Sequence, residues 1–111
     1  MDSLPSEYSE FWNLWARGEY FECHEVLETA WRGEESPQRK QFFQGLIHCA
    51  VALVHVERGN EIGARGQLKK ARAKLQCVDM EYPGCDIHAV LEFVEMKLDE
   101  VRKPRLKVGD I

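Results

Sequence analysis

His24 and Glu28 stand four residues apart in the run Gly18-Glu19-Tyr20-Phe21-Glu22-Cys23-His24-Glu25-Val26-Leu27-Glu28-Thr29-Ala30-Trp31. On a helix that spacing puts both side chains on one face, near enough to share a hydrogen bond or a metal ion. At about 100° per residue, Tyr20, Cys23, Leu27, Ala30 and Trp31 make an apolar arc, with Glu22, Glu25, Thr29 and Arg32 opposite. His24 and Glu28 fall within or beside the apolar arc, where an ionisable pair costs free energy unless it finds partners. Gln44 and His48 repeat the four-residue spacing farther along, on a stripe with Gln41 and His55 of an otherwise apolar segment. The expectation is that His24, Glu28, Gln44 and His48 meet across two adjacent antiparallel helices.

Such a cluster suits a small polar ligand or a divalent metal ion. His24, Glu28 and His48 would be the metal ligands, a mixture of imidazole and carboxylate that fits zinc, manganese or ferrous iron. Tyr20, Phe21 and Trp31 would wall the site. The same residues read equally well as a closed hydrogen-bond network that fixes helix register without a ligand. Peptidase chemistry is not expected. His24-Glu25-x-x-Glu28 is similar to the zinc-binding H-E-x-x-H pattern, but its general base would be Glu25, which the wheel turns outward. Four cysteines, at 23, 49, 77 and 85, show no C-x-x-C spacing, so reduced and mostly buried thiols are expected.

Helix signals place these residues. Pro5 suits a first turn and Gly18 a stop, predicting a helix over about 5–17, and a second follows over about 19–33. Ser36-Pro37 reads as N-cap and first residue of a long third helix that stops at Gly59, and Asn60 caps a fourth reaching about Cys77. Tyr82-Pro83-Gly84 breaks the chain before a fifth helix over about 86–102, capped by Asp86. No segment alternates with period two, so the fold is expected to be all-α.

An internal echo sharpens the architecture. Gly18, Cys23, Leu27 and Ala30 recur 41 residues later as Gly59, Ala64, Leu68 and Ala71. A turn glycine, a small residue, a large apolar residue and an alanine at these offsets resemble the second half of tetratricopeptide-type hairpins, although their period is about 34 residues. Two antiparallel helical hairpins and a C-terminal helix follow, as one helical domain over 1–111 with a basic tail at 103–111.

The 111 residues carry 44% apolar side chains and a formal charge of −4, enough for one compact core and against a dedicated nucleic-acid binder. No leader or membrane-spanning run is legible, so a soluble cytoplasmic protein is expected. Arg65, Lys69, Lys70, Arg72 and Lys74 read as a solvated face within reach of Glu92, Glu95, Asp99 and Glu100, and His88 reads as a surface residue. Trp12, Trp15 and Trp31 read as packing between helices. A reading of another class makes the chain an interaction module, with Tyr8, Phe11, Trp12 and Trp15 lining a groove for a protein partner or a second copy.

G-E-Y-F-E-x-H-E-V-L-E-x-x-W from Gly18 to Trp31, Q-G-L-I-H-x-A-V-A-L-x-H from Gln44 to His55 and R-G-N-x-x-G-A from Arg58 to Ala64 closely resemble the small bacterial and archaeal family catalogued as domain of unknown function 309. The match covers roughly Phe11 to Leu75. The resemblance implies an all-helical fold and signature polar residues at Glu22, His24, Glu25, Glu28, Trp31, Arg32, Gln44 and His48. It implies no activity.

Overall fold

A computed structural model describes residues 4–102, which form five helices: α1 (Ser6–Ala16), α2 (Tyr20–Gly33), α3 (Pro37–Glu57), α4 (Glu61–Leu75) and α5 (Ile87–Arg102). The fold is all-α; among the described residues the β geometry is an isolated antiparallel bridge between Tyr82 and Cys85. The basic tail expected at 103–111 lies outside the described residues.

Local chemistry sets the helix boundaries. Ser36 Oγ accepts the Arg39 backbone N–H (3.3 Å), Asn60 Oδ1 accepts that of Gly63 (3.0 Å), and Asp86 Oδ1 accepts those of His88 and Ala89. Each satisfies N–H groups that have no partner inside the helix. The two hairpin turns depend on Gly18 and Gly59, with φ of +75° and +74°, a region side chains resist. The repeated pattern is therefore a repeated structure. Cys23, Leu27 and Ala30 of α2 and Ala64, Leu68 and Ala71 of α4 are all buried.

Successive helices pack as neighbours, α1 on α2, α2 on α3, α3 on α4 and α4 on α5. The core runs through Phe11, Leu27, Phe42, Phe43, Leu46, Leu68, Leu75 and Val94. At Gly45 a Cβ would lie 2.6 Å from Leu75 Cδ2, so the absence of a side chain is what allows α4 to approach α3 there. The connection from α4 to α5 is held to the core by Tyr82, stacked on Phe42 with ring centroids 4.0 Å apart, and by the Tyr8 hydroxyl, which donates to the Pro83 carbonyl at 2.5 Å.

Candidate functional site

The four polar residues singled out on α2 and α3 are half-buried; no polar or charged residue among those described is fully buried. His24 Nδ1 donates to the Phe21 carbonyl of its own helix, and its ring lies edge-on to Phe21, 5.0 Å between centroids. Glu28 accepts from Arg32 one turn on. Glu25 is exposed, as the wheel expects. His48 turns the other way, with Nδ1 2.7 Å from Gln67 Oε1 on α4. The hydrogen bonds of His24, Glu28 and His48 thus run to three separate places. Among the described residues no three His, Cys, Asp or Glu side chains are grouped to hold a metal ion. Of the expected walls, Tyr20 packs edge-on against Trp15 of α1 (5.2 Å), and Trp31 lies beneath the Lys40 ammonium (4.9 Å).

The α3 stripe has a different use. Gln41 Nε2 donates to the Lys74 carbonyl (3.0 Å), His48 pairs with Gln67, and Asn60 Nδ2 donates to His55 Nδ1 (3.1 Å). Gln41, His48 and His55 are seven residues apart, the spacing of one seam along a paired helix. They form three polar rungs between α3 and α4 or the turn joining them, interleaved with Gly45 and Ala52. Burial lowers the His48 pKa from the usual 6.5, helped by Lys70 and Lys74 and opposed by the Gln67 hydrogen bond. The seam therefore favours the neutral imidazole over the charged one. The R-G-N-x-x-G-A segment follows the same logic. Gly59 makes the turn, Asn60 caps α4, and a Cβ at Gly63 would sit 2.5 Å from the Asn60 amide.

Concave features lie elsewhere. Trp12 and Trp15 of α1, Leu46 and Cys49 of α3 and Val90 and Phe93 of α5 line a cleft of about 270 Å³. Trp15 meets Phe93 edge-on at 5.7 Å, joining α1 to α5 across it. Trp12 and Gly84 also line a second cleft of about 870 Å³, bounded by Tyr8, Ser36, Arg39, Met80, Glu81 and Tyr82. The two adjoin at Trp12 and Gly84 and together are called the groove. Trp12 Nε1, at the junction, is buried beside the Tyr8 hydroxyl. Of the aromatic residues expected in a groove, Trp12 and Trp15 line it, and Phe11 is buried in the core. Tyr8 edges the wider cleft while being 5% exposed. Val90 and Phe93 escaped the sequence reading, although the amphipathic period of α5 could have flagged a second apolar face.

Three of the four thiols are wholly or partly shielded. Cys23 and Cys49 are buried and Cys85 is half-buried; burial raises their pKa values to about 12, 12 and 11. Cys77 is exposed. Arg72 and Glu95 pair at 2.7 Å, as the charge pattern of α4 and α5 anticipates, and His88 is exposed. No helix among the described residues is long and apolar enough to cross a membrane.

A family model described as domain of unknown function, DUF309, matches residues 8–67. The uncharacterised protein YpuF of Bacillus subtilis is 34% identical over 88 residues, covering 78% of this chain and 51% of the relative. An uncharacterised protein of Aquifex aeolicus is 25% identical over 81 residues, covering 73% of this chain and 24% of the relative. The chain thus spans about half and about a quarter of the length of these curated relatives. No solved structure matches it significantly.

Proposed function

The chain belongs to the DUF309 family, and from that premise we propose that it is a helical interaction module whose groove between α1, α3 and α5 receives a segment of a protein partner. One observation carries this reading: three alternate helices supply Trp12, Trp15, Leu46, Cys49, Val90 and Phe93 to a single apolar cleft. Aromatic-lined concavities of this kind are where anchoring side chains of a partner are desolvated most completely. The match to only part of longer relatives also fits a module. In this reading the Gln41, His48 and His55 rungs hold the α3–α4 hairpin rigid, and the groove does the binding.

Ala89 is exposed at the edge of the cleft, so Ala89→Trp fills it without touching the core. Peptides selected from a random displayed library on the wild-type protein are expected to bind this variant at least about tenfold more weakly, a loss of about 1.4 kcal/mol, at unchanged melting temperature. Selected peptides that bind both proteins equally would sink the proposal.

A further inference from the structure

We infer that the segment received by the groove is basic and carries one large apolar or aromatic anchor, a conclusion that rests on the groove reading and adds the chemistry of its partner. The anchor follows from shape. The narrow cleft of about 270 Å³ presents Trp12, Trp15, Leu46, Val90 and Phe93, which suits one bulky apolar side chain rather than a run of chain. The wider cleft of about 870 Å³ is where the flanking residues of the segment lie. Met80, 49% exposed on its lip, is a side chain able to adapt to different neighbours.

The charge follows from what lines the two clefts. Asp86 edges the narrow one and Glu81 the wide one. Glu81 is exposed and has no ion pair among the described residues. Asp86 uses one oxygen, Oδ1, for the backbone N–H groups of His88 and Ala89. Arg39 is the basic residue lining the groove, and it is already neutralised by Glu34, which holds its Nη2 at 3.0 Å and its Nε at 3.1 Å. Both members of that pair are largely buried, their side chains 18% and 10% exposed, so Arg39 is not available to a partner. A concavity with apolar walls strengthens the field of the charges at its rim. Here that field is negative and favours Lys or Arg on either side of the anchor.

The test is a titration of the ¹⁵N-labelled full chain with the blocked pentapeptides Lys-Lys-Phe-Lys-Lys and Glu-Glu-Phe-Glu-Glu, followed at the three indole N–H resonances. Trp12 and Trp15 line the groove, and Trp31, beneath Lys40 on α2, is the internal control. The basic peptide is expected to shift Trp12 and Trp15 but not Trp31, and to bind roughly three- to tenfold more tightly than the acidic one, the size of a few exposed charge pairs. In Glu81→Lys, a change at an exposed loop position, that preference is expected to shrink or reverse. Equal shifts by both peptides at Trp12 and Trp15 would overturn the basic partner and leave the groove standing. No shift at either indole with either peptide would overturn the partner and the groove together.

Discussion

His48 of α3 and Gln67 of α4 are joined at 2.7 Å, imidazole Nδ1 to amide Oε1, across the seam of the second hairpin. Both are half-buried, so each partner loses access to water that would replace the other. We expect His48→Ala and Gln67→Ala each to lower stability by about 1–2 kcal/mol. The double variant should lose clearly less than the sum, because each single change leaves the same bond broken. Urea unfolding of the four proteins measures this, and strict additivity would show that the pair does not interact.

The same imidazole makes stability depend on acid. Burial sets the folded His48 pKa below the usual 6.5, so the unfolded chain takes up the proton first as pH falls. Stability therefore has its full value above about pH 6.5 and is lost as pH drops through the folded pKa. His48→Gln, which keeps a hydrogen-bonding side chain and removes the titration, should flatten that part of the curve. Unfolding free energies compared between neutral pH and about pH 5 provide the check, and parallel curves for the two proteins would refute it.

Two glycines predict opposite outcomes. Gly45→Ala drives a Cβ to 2.6 Å from Leu75 and should cost about 1–3 kcal/mol through overpacking. Gly66→Ala meets nothing within 4 Å on the exposed side of α4 and should stabilise by about 0.5–1 kcal/mol through helix propensity. Thermal melts of the two variants are sufficient to show the difference in sign.

Thiol chemistry should separate one cysteine from three. Cys77 is exposed, whereas Cys23, Cys49 and Cys85 are wholly or partly shielded, with pKa values raised by burial to about 12, 12 and 11. The thiolate is the reacting species. A chromogenic disulfide reagent at neutral pH should modify one thiol rapidly and the others only on unfolding, and Cys77→Ser should remove the rapid phase.

Tyr8 carries a comparable signature at high pH. Burial raises its phenol to about 12 from the usual 10, while its hydroxyl donates to the Pro83 carbonyl. A folded pKa above the unfolded one contributes stability that is complete below about pH 10 and lost as pH climbs toward 12. Alkaline unfolding of Tyr8→Phe should consequently be less steep in that window than that of the wild type.

The amino-acid sequence by itself determined the helices, their ends and their order. Ser36, Asn60, Asp86, Gly18 and Gly59 act on groups within a few residues of themselves, and capping or a left-handed turn requires no knowledge of distant contacts. The Gly18 and Gly59 repeats and the outward turn of Glu25 were legible for the same reason; complementary charge on α4 and α5 was legible as a pattern, and packing chose Arg72 and Glu95 as the pair. Tertiary structure alone decided which neighbour each half-buried polar residue of α3 would meet. A helix wheel gives the direction of His48 but not whether α2 or α4 stands there, and the close approach at Gly45 brings α4 onto that face. The α1 side of the groove, Trp12 and Trp15, was legible, but its α3 and α5 sides were hidden for a related cause. Its walls come from α1, α3 and α5, helices distant in sequence, and a concavity depends on the angles at which packed helices cross.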